Sequence, residues 1–456
     1  MSRVPLAALL AQVTARFGRG PQFGLDGVRR ALALLGDPQR ELACVHVGGT
    51  NGKGSVCAMI ETVARAAGLR TGMYTSPHLS CFAERIQLDG QPIDDDRLAH
   101  ALEVALDSRL PPLTFFETLT VAGFHAMRRA AVDLAVVEVG LGGRLDATNV
   151  IEQPLATAIV SIGLDHVEYL GNDLGSIARE KAGIVKRGCP LTVGPLAPEA
   201  ERAILEVAER VGPSVVWRAG LAPGAHDDVG KPSPGDVPHV RSLPLEPVLA
   251  GEAADGGLEL TGPAGRRVRA RLGLDGAYQR GNAAVAAAVV WQLEQRWPEL
   301  GRSLARGLGE TRWPGRFERL EHQGRRVILD CAHNPAGAEA LEQALGGALA
   351  PARTALVFGA MSDKLWRPSL KRLAPLASRR FYTEPLRPLG TRRSAAPAEL
   401  AAVAAGECVA DPVQAFRRAL DASAPGDTVL VTGSIFLVGA VRAEVLGLRH
   451  DGAIPA

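Results

Sequence analysis

Eight residues, Gly48-Gly49-Thr50-Asn51-Gly52-Lys53-Gly54-Ser55, lie between an apolar stretch at 42–47 and a helical pattern at 55–67. A glycine-rich turn from a buried strand into a helix aims backbone N–H groups and the positive helix end at one spot. That spot suits phosphate oxygens. Lys53 adds a point charge for terminal phosphates, and Ser55 offers a hydroxyl to Mg2+. The loop is not a strict G-x-x-x-x-G-K-[ST], because Gly54 stands between Lys53 and Ser55. An ordinary strand–helix turn has no need of four glycines, a lysine and a serine in eight residues.

Apolar runs of strand length alternate with helical patterns on both sides of this loop. Strands are expected at 42–47, 70–74, 134–139 and 156–162, and helices at 55–67, 116–130 and 177–185. Such alternation predicts a parallel sheet covered by helices. Residues 218–257 are rich in Pro, Gly and Asp and are expected to form an irregular surface insertion. A small hairpin at 258–261 and 268–272 and a helix at 282–294 follow. Trp313-Pro314-Gly315-Arg316 resembles a hinge, after which a second alternation places strands at 327–329, 355–358, 380–382 and 428–431. A length of 456 residues exceeds one ordinary core. The expected division is therefore a first domain over 1–312 carrying the insertion, a hinge at 313–323, and a smaller α/β domain over 324–456.

Four further motifs sit where α/β folds place ligands. Glu138 closes an apolar run, and a carboxylate at a strand end can reach a metal on a neighbouring phosphate loop. His166, in the segment Ser161-Ile162-Gly163-Leu164-Asp165-His166, is equally readable as a metal ligand or as structural. Lys181, in a helical pattern, reads from patterning alone as a solvated lysine. Asp330-Cys331-Ala332-His333-Asn334-Pro335 follows a strand of the second domain. Its Asn334 and Pro335 also suit a helix start, one as cap and the other at the first helical position.

Bulk properties exclude several classes. The formal net charge is +2 and charged residues make up 22%, which gives no case for nucleic acid or membrane binding. No uncharged apolar run reaches the roughly 18 residues of a membrane span. The six cysteines form no C-x-x-C pair, so they read as free thiols in a reducing compartment, and the protein is expected to be cytoplasmic.

Taken in order, these motifs resemble the folylpolyglutamate synthase and dihydrofolate synthase family of the Mur ligase superfamily. The matching segments are 23–28, 48–55, 74–79, 113–120, 136–149, 164–166, 179–184, 314–317, 330–335, 359–364 and 431–434, nearly the length of the chain. The details of 113–117 and 144–148 are more similar to the bifunctional type. The resemblance implies a Mur-ligase-like P-loop ATPase domain with a mainly parallel sheet, followed by a smaller Rossmann-like glutamate ligase domain. It implies a ligase that adds L-glutamate to dihydropteroate, to reduced folate, or to both, through an acyl phosphate. ATP, two Mg2+ ions and a monomeric enzyme belong to that picture.

Residue roles follow from the same resemblance. Gly52, Lys53, Gly54 and Ser55 would bind ATP phosphates, with Asn282, Arg316 and Asp330 as further ATP contacts. Ser76, Glu138 and His166 would hold Mg2+, although a hard cation prefers oxygen to imidazole. Lys181 would carry a carbamate formed with CO2, turning a cation into a carboxylate that can assist the metal. His333 and Ser434 would stand near the phosphates and the incoming glutamate. Thr114, Phe115, Phe116 and Glu117, together with Arg144, Leu145 and Asp146, would hold the pterin end. Residues 20–23 would add a loop to that site.

Rival readings are weaker. A peptidoglycan-precursor Mur ligase carries a whole domain ahead of its ATP loop, and 47 residues precede Gly48 here. A conformational-switch NTPase leaves the Asp330–His333 cluster unexplained. The glycines do not form the G-x-G-x-x-G of a dinucleotide-binding oxidoreductase. A folylpolyglutamate synthase without dihydrofolate synthase activity remains the alternative within the family.

Overall fold

Continuous buried apolar runs become the central strands of the first unit. The computed structural model describes residues 4–16, 24–222, 245–253, 256–385 and 393–451. The first unit takes in the described residues up to Pro77, then Ala83–Gly273 and Gln279–Arg312. Its strands are β1 (Cys44–Gly48), β2 (Thr71–Tyr74), β3 (Ile86–Leu88), β4 (Gln91–Pro92), β5 (Leu134–Glu138), β6 (Ala156–Ile159), β7 (Leu191–Val193), β8 (Val216–Leu221), β9 (Leu245–Glu252), β10 (Leu258–Gly262) and β11 (Arg266–Ala270). They lie in the order β11-β10-β9-β8-β7-β6-β1-β5-β2-β3-β4. Every neighbouring pair from β9 to β2 is parallel, and antiparallel pairing is confined to the two ends.

Strands β1, β5 and β6 are buried at every position. A parallel sheet covered on both faces needs that, so these strands show no polar alternation. The register sets Val47 opposite Glu138 and Gly48 opposite Ile159. The loop after β1 therefore emerges between the carboxyl ends of its two neighbours, where open α/β sheets bind ligands.

The second unit comprises His78–Phe82, Leu274–Tyr278 and the described residues from Trp313 onward. Its strands are β12 (Glu318–His322), β13 (Arg325–Leu329), β14 (Thr354–Phe358), β15 (Arg379–Tyr382), β16 (Glu407–Cys408) and β17 (Thr428–Thr432), in the order β12-β13-β17-β14-β15-β16. All pairs but β12–β13 are parallel. Alternate residues of β14 enter different cores. Leu356 and Phe358 pack with Trp366, Leu370 and Leu373, whereas Ala355 and Val357 join Phe416, Leu437 and Val438.

Two sequence expectations need correction. Residues 218–221 and 245–252, within the stretch expected to be irregular, belong to β8 and β9, and 223–244 lie outside the described residues. Gly220, Pro247 and Gly251 obscure those strands in the sequence, but β9 is paired on both sides, to β8 and β10. Pairing overrides weak strand propensity. The hinge expected at 313–323 likewise contains β12. Gln323 and Gly324 both have positive φ, 49° and 73°, which suits a two-residue turn of type I′ and folds β12 back on β13.

All six cysteines are free, and burial pushes the Cys44 thiol up to about 12. Among the described residues no helix is long and apolar enough to cross a membrane.

Candidate active site

The phosphate-loop candidate is held open by its own backbone and by the loop after β6. Gly52 has φ +80°, and a Cβ there would lie 2.5 Å from Asn282 Oδ1. Only glycine fits that left-handed position beside that neighbour. Thr50 N donates to the Ser161 carbonyl (2.8 Å), and Asn51 N to Ser161 Oγ (2.9 Å). Ser161 Oγ donates in turn to the Asn51 carbonyl (2.9 Å), and Gly163 N donates to Thr50 Oγ1 (3.0 Å). The helix Lys53–Ala66 then starts, with Ser55 buried in its first turn.

Lys53, Glu138 and Ser76 come together. Lys53 Nζ lies 3.8 Å from Glu138 Oε1 and donates to the Thr50 carbonyl (3.2 Å). Ser76 N donates to Glu138 Oε2 (3.1 Å). Glu138 is 5% exposed, and a carboxylate so buried needs partners of this kind. His166 has φ +51°, and its Nε2 lies 3.9 Å from Asp165 Oδ2. Among the described residues, no three or more His, Cys, Asp or Glu side chains gather closely enough to hold a metal ion. The oxygen donors at Ser76 and Glu138, beside a loop shaped for phosphates, nevertheless fit Mg2+ bound jointly with nucleotide, because that ion keeps several ligands from phosphate and water.

Lys181 overturns the reading from patterning. It is 6% exposed, and its Nζ donates to the Gly49 carbonyl oxygen at 2.9 Å. The last turn of the helix Leu174–Lys181 is pressed against the loop carrying Arg144 through glycines that admit no side chain. A Cβ at Gly143 would lie 2.7 Å from the Lys181 carbonyl, and one at Gly183 2.4 Å from Arg144 Cα.

Several residues expected to hold a substrate also shape their own loops. Thr114 and Glu117 form a reciprocal capping box at the start of the helix Phe115–Arg129. Phe115 is buried beneath the Arg85 guanidinium, and Phe116 packs where Gly140 leaves room. Arg144 is exposed and paired with Glu180 (3.0 Å), and Leu145 is half-buried. Asp146 is buried and accepts from Gly140 N, Leu141 N and Thr148 N at 2.8–3.1 Å. Burial raises its pKa, against those hydrogen bonds. Residues 20–23, expected to join this region, lie outside the described residues.

The second unit brings its own candidates together at the carboxyl ends of β13 and β17. Asp330 N donates to the Val431 carbonyl, and Gly433 N to the Ala332 carbonyl. Asp330 Oδ2 accepts from Phe317 N (2.9 Å) and Tyr278 OH (3.3 Å), and Oδ1 from Ala332 N (2.9 Å). Burial raises its pKa, opposed first by the charge of Arg316. His333 Nδ1 lies 2.9 Å from the Cys331 carbonyl. A carbonyl only accepts, so Nδ1 carries a proton. Asn334 caps the helix Pro335–Leu345, and Ser434 caps Ile435–Leu446.

Two residues escaped the sequence reading. Gln279 is fully buried, accepts from Asn282 Nδ2 (2.8 Å), and reaches Ser55 Oγ (3.4 Å). It orients two of the expected nucleotide contacts from within an Ala/Val-rich helix, where a lone glutamine carries no pattern signal. Arg85 is 2% exposed, and burial lowers its pKa to about 10 despite Tyr74 and Glu138. It closes a short 3-10 turn, Phe82–Arg85, just before β3, a sequence with no pattern signal, so only the fold shows that this cation is buried.

Comparison with known proteins agrees with this geometry. Residues 47–290 match the Mur ligase middle domain, and 315–435 match the Mur ligase glutamate ligase domain. Folylpolyglutamate synthase of Lacticaseibacillus casei is 33% identical, over 92% of this chain and 94% of its own. Dihydrofolate synthase/folylpolyglutamate synthase of Bacillus subtilis is 32% identical, over 94% and 96%. The bifunctional folylpolyglutamate synthase/dihydrofolate synthase of Yersinia pestis, solved with AMPPNP and a Mn ion, superposes with a TM-score of 0.80 at 29% identity, covering 98% of this chain and 99% of that one. With two matching domain models, full-length relatives and a shared fold, the chain belongs to the folylpolyglutamate synthase/dihydrofolate synthase family of Mur-type ligases.

Proposed function

We propose that this protein uses ATP to join L-glutamate to dihydropteroate and to the glutamate tail of reduced folates. It works as a cytoplasmic monomer. The observation that carries this reading is the placement of Glu138 between Lys53 and Ser76, at the mouth of a glycine loop shaped for phosphate. A carboxylate is a poor electrophile, and phosphorylation supplies a leaving group. The acid's carboxylate oxygen attacks the terminal phosphorus of ATP, releasing ADP and leaving an acyl phosphate. The glutamate nitrogen then attacks the acyl carbon, the C–O bond to phosphate breaks, and the nitrogen gives up its proton as the amide forms.

Gly52, Lys53, Gly54 and Ser55 bind the phosphates through backbone N–H groups and the Lys53 charge. Asn282, Arg316 and Asp330 are further nucleotide contacts. Ser76, Glu138 and His166 would hold Mg2+, two ions in all, which when bound supply charge neutralisation during phosphoryl transfer. Lys181 carries a carbamate: its amine nitrogen adds to CO2 and loses a proton. Its burial against Gly49 O supports that role, because the group is oriented at the loop and screened from bulk water. His333 takes a proton near the incoming glutamate, and Ser434 helps position that substrate. Thr114, Phe115, Phe116, Glu117, Arg144, Leu145 and Asp146 form the acceptor's seat.

Phosphate release measured with ATP, glutamate and each acid in turn tests the reading. Release should require both glutamate and a pteroyl acid. Turnover with reduced folates alone would narrow the activity to that of the L. casei relative's name. Strong turnover without glutamate would instead mark a switching NTPase.

A further inference from the structure

His46 lies in the middle of β1, fully buried, with Val137 of β5 and Thr157 of β6 on either side. Its Nε2 is 2.8 Å from Thr148 Oγ1, and among the described residues its buried Nδ1 meets no hydrogen-bond partner. Thr148 is also fully buried, and its hydroxyl hydrogen-bonds Asp146 Oδ1. The same carboxylate accepts from the backbone of Gly140, Leu141 and Thr148. Adjacent Asn149 secures the other side of the loop, donating to the Arg144 carbonyl (2.9 Å) and the Gly183 carbonyl (3.1 Å).

A carboxylate collecting three backbone N–H groups is an acceptor, so the single Thr148 proton goes to Asp146. Thr148 Oγ1 must then accept from His46, which requires the proton on Nε2. The opposite direction would put a proton on Nδ1 and bury an N–H without an acceptor, which folded proteins avoid more strictly than a buried lone pair. Burial, aided by the Lys186 charge, holds the ring's pKa down to about 3, so the ring is neutral.

We infer that His46 is a positioning residue for the acceptor acid: as the neutral Nε2–H tautomer it aims the Thr148 hydroxyl at Asp146 and so sets the 140–146 loop. The inference rests on the proposal that Arg144–Asp146 seat the acceptor. His46 touches neither substrate nor nucleotide. Its influence passes through Thr148 to a loop on one side of β1, while the phosphate loop is held separately through Ser161.

The test combines kinetics with selective 15N-histidine NMR of the full-length protein. His46→Leu should raise the KM for dihydropteroate or reduced folate by about tenfold, the effect of one buried hydrogen bond, while the KM for ATP stays within about twofold. His46→Gln places an amide N–H near the Nε2 position and should recover most of the loss. Thr148→Val should match His46→Leu, and the double variant should be no worse than Thr148→Val alone. Equal rises in both KM values, an additive double variant, or an unchanged acceptor KM would overturn the inference. In the wild-type spectrum, the resonances lost in His46→Gln should show a proton on Nε2. A proton on Nδ1 would overturn the relay even if His46→Leu failed to fold. The NMR result also stands apart from the acceptor reading: if no pteroyl acid is turned over, that reading fails, while the tautomer still decides the relay.

Discussion

Lys181 Nζ donates to the Gly49 carbonyl oxygen at 2.9 Å, tying the end of the helix Leu174–Lys181 to the loop that opens Lys53–Ala66. Lys181→Ala removes both that tie and the amine on which a carbamate forms. The expected outcome is a fall in turnover of about 100-fold or more, as for loss of one group that stabilises transferring charge. Affinity for a non-hydrolysable ATP analogue should change far less. Near wild-type turnover would refute the carbamate role.

Gly52→Ala forces a side chain into a left-handed position 2.5 Å from Asn282 Oδ1. The conformation alone costs about 1–2 kcal/mol, and the contact displaces the side chain that Gln279 orients. Calorimetric titration with the ATP analogue should show affinity reduced by about tenfold or more, since each 1.4 kcal/mol is tenfold. Undiminished affinity would mean that the nucleotide sits elsewhere.

Asp330→Asn puts an amide where a buried carboxylate accepts from Phe317 N, Ala332 N and Tyr278 OH. Its NH2 group must face at least one of those donors. A loss of about 1–3 kcal/mol in denaturant unfolding is expected, the cost of leaving a buried group unsatisfied. Unchanged stability would show that the 314–317 turn does not depend on this carboxylate.

Asp427 accepts from Arg353 Nε (2.9 Å) and Arg379 Nη2 (3.0 Å), and these hydrogen bonds hold its pKa down to about 2 from an ordinary 3.8. A carboxylate with a depressed folded-state pKa adds stability that is fully present above its unfolded value and fades as pH falls through the folded one. Wild type should therefore melt above Asp427→Asn by a constant margin at neutral pH, shrinking only between about 4 and 2. A margin that vanished by pH 6 would contradict the pairing.

The sequence showed the sheet centre best. β1, β5 and the Val327–Leu329 part of β13 are short, mainly apolar runs closed by a glycine, a glutamate or an aspartate, and burial on both faces makes such runs continuous. Glu138 and Asp330 were legible for the same reason, as carboxylates at the ends of those runs. Lys181 was not. Its surroundings depend on Gly143 and Gly183 admitting a loop distant in sequence, and helix patterning carries no record of that contact. β8 and β9 were hidden because their pairing partners supply what Gly220 and Pro247 take away. Gln279 and His46 are single polar residues in apolar elements. Their partners, Ser55 and Thr148, lie 224 and 102 residues away, beyond any local pattern.

The central claim is that the glycine loop seats the donor for phosphorylation of an acid that then becomes an amide. Oxygen transfer tests this most directly. Dihydropteroate, or a reduced folate, labelled with 18O in its reacting carboxylate is incubated with ATP, Mg2+, glutamate and the protein, and the released phosphate is analysed by mass spectrometry. Each phosphate released should carry one 18O from the carboxylate, because the acyl C–O bond is the one that breaks. Amide product accompanied by unlabelled phosphate would contradict the acyl phosphate and, with it, this account of the loop.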